Sequence, residues 1–213
     1  MKIIFDYDKA KDIWCLLNKG KSSKNSSSPT KVYELLTKSV GANPTEQGAS
    51  KFIDTYIKNN QIDINECIKR FEDEWASVAE EFQVRAQDVF KVSLKNNVKA
   101  YLTVNNRMPY SINGNYFFLC MESESIIKPV MHELWHFYTW YSVGKKLEKE
   151  LGNVKYNDLK ESLTVLLNVE CADLMPAGVK DEGYPQHQQM REKILQKWAE
   201  HKDLNYILHE CFN

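Results

Sequence analysis

Apolar residues recur at the helical period from Asp63 to Ala86. Ile64, Cys67, Ile68, Phe71, Trp75, Val78, Ala79 and Phe82 share one face, and Glu66, Lys69, Glu72, Asp73, Glu80 and Glu81 line the other. This is the longest amphipathic stretch in the chain and reads as helix. Residues 1–62 read as shorter helices joined by polar turns. Asp8 to Lys19 carries Ile13, Leu16 and Leu17 on one face, with Gly20 as a stop signal. Lys21–Ser28 (KSSKNSSS) reads as a flexible polar loop. Ser28-Pro29 reads as the N-cap and first residue of the next helix, which Gly41 ends. Asn43-Pro44-Thr45-Glu46 repeats that start signal for a helix reaching about Lys58.

After residue 88 the period changes. Val98–Val104 (VKAYLTV) and Tyr116–Met121 (YFFLCM) are rich in β-branched and aromatic residues, and two to four short strands are expected between about 89 and 121. Asn113-Gly114-Asn115 is a hairpin-type turn, and Arg107-Met108-Pro109 is a second turn. From Ser125 the helical pattern returns. One helix runs from about Ile126 to Ser142, with a break at Gly144. A charged helix (KKLEKELG) ends at Gly152, and a very apolar one runs from Asn157 to about Asp173, closed by Pro176 and Gly178. Two amphipathic helices follow from Pro185. Helices before, around and after a small sheet predict an α+β fold. Two divisions of the chain are open: an N-terminal helical region over 1–62 with a second domain over 63–213, or one continuous domain over 1–213.

Charge and cysteine content narrow the function classes. Lys plus Arg is 28 and Asp plus Glu is 29, a net charge of −1, so no basic excess points to nucleic acid or an anionic membrane surface. The longest apolar runs are strand-sized, and the N-terminus lacks a signal-like apolar region, which predicts a soluble cytoplasmic protein. Five cysteines at wide spacing without a CxxC pair read as free thiols rather than a disulfide framework or a cysteine zinc site.

Residues 132–136 read His132-Glu133-Leu134-Trp135-His136, an HExxH motif within an expected helix. Histidines at i and i+4 lie one above the other on a helix face, so two imidazoles can converge on one tetrahedral zinc ion. Glu133 is about 100° round the helix, beside the metal position, where a carboxylate can hold and deprotonate water. The bland alternative is a pair of core histidines on an aromatic helix with Trp135, Phe137, Tyr138 and Trp140.

A zinc site needs a third protein ligand. Thr139 and Ser142 stand where an HExxHxxGxxH chain would carry Gly and His, so the ligand comes from elsewhere. Glu161 is the best candidate. It lies 25 positions after His136 on a helix whose other faces carry Leu159, Leu163, Val165, Leu166, Leu167 and Val169. A carboxylate on a buried helix needs a partner or a metal. Glu170, Asp158 and Asp173 are alternatives. Thr164 and Asn168, in the same narrow polar stripe, are candidates to orient the ligands by hydrogen bonding.

HELWH followed by a glutamate helix resembles the zincin metallopeptidases, and within them the gluzincins, whose third ligand is a downstream glutamate. The resemblance covers about residues 126–164, and more loosely the strands at 98–121. It implies a zincin-like fold, Zn2+ held by His132, His136 and Glu161, Glu133 as general base, and a peptide or protein substrate. Where the family often carries an Asn before the ligand glutamate or an acidic residue four positions after it, this chain has Lys160 and Val165. That sets it apart from the thermolysin-like subgroup. In gluzincins a Tyr or His beyond the third ligand stabilises the oxyanion, and Tyr184 and His187 of the Gly183–His187 segment are the candidates here. The expected function is a minimal zinc metallopeptidase whose cleft is completed by the short 175–213 tail. The alternatives are a zinc-binding regulatory or interaction protein with a zincin-like site and little turnover, and an effector directed at one protein.

Overall fold

The computed structural model describes residues 1–21 and 28–212. Between its two ends, the polar loop expected over Lys21–Ser28 lies outside the described residues. The fold is mixed α and β and mostly helical, and the chain divides into two compact units. Met1–Glu74 with Asn96–Ile126 forms the first, and Trp75–Lys95 with Ile127–Asn213 the second.

The first unit holds a four-stranded sheet in the order β1-β2-β4-β3, with β1 Ile3–Asp6, β2 Val98–Thr103, β3 Tyr110–Ser111 and β4 Tyr116–Cys120. β1 and β4 both run parallel to β2, in the registers Ile3↔Val98 and Lys99↔Tyr116. Only the β3–β4 pair is antiparallel, and Asn113-Gly114-Asn115 lies in its turn. All of β2 except Lys99 is buried, as is all of β4 after Tyr116. That is why both strands read as continuous apolar runs rather than alternating ones. β1 corrects the expectation that the first sixty residues are all helical. Four residues (IIFD) are too few to show a period, and only pairing with a strand some 95 residues away defines them.

The N-terminal helices are α1 Lys9–Lys19, α2 Lys31–Val40 and α3 Glu46–Asn59. Asp8 caps α1 by accepting from the Ala10 and Lys11 amides, and Thr45 caps α3 by accepting from Gly48. The cap of α2 is Thr30, which accepts from Tyr33 N–H, rather than Ser28. Pro29 therefore precedes the cap, as Pro44 precedes Thr45. Cys15 of α1 packs with Tyr101 and Phe118 on one face of the sheet, and Trp14 stacks on Phe118 at 6.0 Å.

The long amphipathic stretch proves to be two helices, α4 Ile64–Ala76 and α5 Ala79–Phe90. The break is a turn closed by Val78 N–H to Trp75 C=O, with Val78 at φ −127°. Neither Ser77 nor Val78 interrupts the apolar period, so the pattern runs straight through the turn. Beyond it, in the second unit, Phe82 and Phe90 of α5 meet Trp135 at 6.1 and 4.8 Å and Tyr138 at 6.3 and 5.9 Å. Trp135 and Tyr138 lie on α6 Ile127–Thr139 and are fully buried. Pro129 falls in the first turn of α6, where its missing N–H costs no bond.

The chain does not leave the helix at Gly144. α6 passes through one π-helical turn, Trp140–Gly144, into α7 Lys145–Leu163. Gly144 is there for close approach: a Cβ on it would sit 2.3 Å from the Tyr156 hydroxyl. The reversal comes at Gly152, φ +78°, the residue sequence reading assigned as the end of the charged helix. The apolar segment beyond is the second half of α7, a 3-10 turn at Thr164–Leu166 and α8 Leu167–Glu170. α9 Gln188–Glu200 and α10 Leu204–Phe212 complete the second unit. Among the described residues no helix is long and apolar enough to cross a membrane, and all five cysteines are free.

Candidate metal centre

His132 and His136 lie one turn apart on α6, with Nε2 atoms 3.1 Å apart and rings at 83°. Trp135, between them in sequence, donates from Nε1 to Leu163 C=O at 3.0 Å, which ties α6 to the end of α7. That places Glu161 against the histidines. Its Oε2 is 3.7 Å from His132 Nε2 and its Oε1 is 3.6 Å from His136 Nε2. Ligand atoms of the three residues all lie within 4.8 Å of one another. A tetrahedral zinc with bonds of about 2.0–2.1 Å needs ligand atoms roughly 3.3 Å apart; the two imidazole nitrogens stand close to that spacing, and each Glu161 oxygen lies a few tenths of an ångström beyond it from its nearer histidine.

The alternative carboxylates have other partners. Glu170 accepts from Trp198 and Lys202, Asp173 pairs with Arg85, and Asp158 bonds His187.

Asp181, which sequence reading did not single out, stands behind His132. Its Oδ2 is 2.6 Å from His132 Nδ1. A carboxylate can only accept here, so neutral His132 carries its proton on Nδ1 and leaves Nε2 as a bare lone pair facing His136 and Glu161. Asp181 is itself held on every side. Thr164 Oγ1 donates to its Oδ1 at 2.8 Å, and Arg191 pairs with the same oxygen at 3.0 Å. Asn168 bonds its backbone twice, each at 2.8 Å. Thr164 and Asn168 thus bear on the centre through Asp181. Arg191, also unforeseen, donates to Thr164 Oγ1 and to the backbone oxygens of Glu161 and Asp181. Its guanidinium passes so close to Gly183 that a Cβ there would meet Nη1 at 2.6 Å.

These surroundings set the protonation states. Burial alone would push Asp181 up, but the His132 hydrogen bond and charge, Thr164 and Arg191 hold it down at about 2. Burial pushes His132 down, and the Asp181 hydrogen bond and charge, with Glu133 and Glu161, outweigh it and raise the imidazole. Burial, with Lys160 and His132 nearby, holds His136 well below the usual range. Glu133 is pushed up to about 7, by burial first, with Glu161 and Asp181 adding to it against His132 and Lys160. Its Oε2 is a buried oxygen with no hydrogen-bond partner among the described residues.

Tyr184 and His187 come together at the start of α9, their rings 5.8 Å apart and edge to face. His187 is buried, and its Nε2 is 3.1 Å from Asp158 Oδ1, one turn before Glu161 on α7. A groove of about 780 Å3 begins there, lined among others by Asp158, Ser162, His187, Met190 and Lys193. The ligand triangle does not line it. Comparison with protein-family models, with curated proteins and with solved structures finds no match.

Proposed function

We propose that the chain is a zinc-dependent metallopeptidase of zincin type. The observation that carries this reading is the convergence of His132 Nε2, His136 Nε2 and the Glu161 carboxylate, with the buried Glu133 carboxyl beside them on α6. The donor set, two neutral imidazole nitrogens and one carboxylate, suits a catalytic zinc that keeps an open position. Bound there, zinc supplies a Lewis acid that polarises a peptide carbonyl and acidifies water.

The chain's own residues do the rest. Asp181 keeps the His132 tautomer that exposes Nε2. Burial pushes Glu133 up to about 7 in the metal-free chain, and a cation bound beside it would favour the carboxylate form that serves as a base. Glu133 takes the proton of the attacking water and returns it to the amine as the C–N bond breaks. Its unpartnered Oε2 has no competing hydrogen bond to give up. For the oxyanion we propose the Tyr184 hydroxyl. His187 engages Asp158 through Nε2 and packs edge to face on the Tyr184 ring, so it serves as a prop for Tyr184.

The test combines metal analysis with hydrolysis of a peptide library. The wild type is expected to hold one equivalent of zinc and cleave peptides. Glu133→Gln is expected to keep the zinc and lose at least about a hundredfold in kcat. Tyr184→Phe is expected to lower kcat with KM little changed. Full activity in Glu133→Gln would sink the mechanism. One equivalent of zinc without hydrolysis of any peptide would favour a zinc-binding regulatory protein instead.

A further inference from the structure

We infer that Lys160 is a positioning residue of the metal centre: it holds one oxygen of Glu161, leaves the other to the metal, and sets metal affinity by opposing the cation. The inference rests on the zinc-centre reading above. A lysine next to a ligand on a helix ordinarily points about 100° away from it, toward solvent. Lys160 instead is buried, at 7% exposure, and turns its ammonium to Glu161 Oε1 at 2.6 Å.

Glu161 faces the histidines with one oxygen each, Oε1 toward His136 and Oε2 toward His132. With the ammonium on Oε1, ligation falls to Oε2. The same ion pair satisfies the half-buried carboxylate when no metal is bound, so metal entry competes with an internal cation. A fixed positive charge a few ångströms from a dication, in a poorly solvated site, also repels it. Both effects weaken metal binding, and both disappear when the charge is removed. A merely structural lysine would do the opposite: its loss would loosen the carboxylate and weaken binding.

The experiment uses the purified full chain and zinc alone as the probe, in competition with a chromophoric chelator. Far-UV circular dichroism and a cooperative melt establish that each variant is folded. Lys160→Met is expected to bind zinc about tenfold or more tightly than wild type, and Lys160→Arg to stay within about threefold of it. Should Lys160→Met not fold, Lys160→Gln, neutral and polar, takes its place with the same expectation. A folded neutral variant that binds zinc as weakly as wild type, or more weakly, overturns the inference. If wild type binds zinc and cleaves peptides while the neutral variant gains no affinity, the peptidase reading stands and the lysine role falls. If only the neutral variant binds zinc, the lysine role stands and the enzyme reading falls. If neither binds zinc, both fall.

Discussion

Asp181 fixes the place of a proton on His132. Its hydrogen bond to His132 Nδ1 decides which ring nitrogen carries hydrogen, and so whether Nε2 is free to ligate. Asp181→Asn tests this with little change of shape. If the new amide nitrogen faces His132, it donates to Nδ1 and forces the proton onto Nε2, which blocks ligation. If the amide turns the other way, its NH2 meets Thr164 and Arg191, where an acceptor is needed. Either orientation is expected to lower zinc affinity about 10- to 100-fold, measured by chelator competition at neutral pH. Unchanged affinity would mean that Asp181 does not set the tautomer. The contrast with Glu161 shows how far the site was legible at this scale. Histidines four apart and a carboxylate in the narrow polar stripe of an apolar helix are local patterns, and a reader of the chain can find them. Asp181 lies in an irregular stretch between Gly178 and Gly183. No period marks it, and its role exists only once Arg191, Thr164 and Asn168 surround it.

At the scale of elements, α1 and β2 are joined by a buried charge. Asp12 of α1 is fully buried, and its Oδ1 accepts from Thr103 Oγ1 at 2.6 Å and from Val104 N–H at 3.2 Å. Burial pushes this carboxyl up to about 6, and the Thr103, Val104 and Tyr7 hydrogen bonds only partly offset it. The sign follows directly. The folded state holds the proton more tightly than the unfolded chain, whose Asp titrates near 3.9, so stability falls as pH rises from about 4 to 6 and stays lower above. The penalty at pH 7 is of the order of 3 kcal/mol. Asp12→Asn keeps the accepting oxygen and removes the charge. Urea denaturation from pH 4 to 7 is expected to show a flatter profile for the variant and greater stability at pH 7. A parallel profile for both proteins would show that Asp12 is not the titrating group. The elements were unevenly legible for related reasons. β2 and β4 announce themselves through composition, α1 through its apolar period and the Gly20 stop, and α3 through its Asn43-Pro44-Thr45-Glu46 start. β1 is four residues that need a distant partner, and the turn at Ser77–Val78 between α4 and α5 leaves the apolar period unbroken, so no pattern marks it. Gly144 and Gly152 show the same limit. Either glycine could end a helix on paper, but only Gly152 takes a positive φ.

At the scale of the whole molecule, the proposed centre lies wholly within the second unit. His132, Glu133, His136, Lys160, Glu161, Asp181 and Arg191 all belong to Ile127–Asn213. Zinc binding should therefore be read as stability of that unit, because a ligand that binds only the folded form stabilises it by mass action. The ion would draw α6 to α7 directly, and through Asp181 it would also bear on the segment that leads into α9. At free zinc a hundredfold above its dissociation constant the gain is about 2.7 kcal/mol. For a unit of this size that corresponds to a rise of roughly 10 °C in melting midpoint. Tryptophan fluorescence is a suitable probe: of the five tryptophans, Trp75, Trp135, Trp140 and Trp198 lie in the second unit and only Trp14 in the first. The expected result is a fluorescence midpoint that rises with zinc, returns with chelator, and in His136→Ala no longer responds. The pH 4–6 stability change carried by Asp12, in the first unit, should persist in His136→Ala, since none of the proposed ligands lies there. A zinc response that survives the loss of His136 would place the metal elsewhere in the chain.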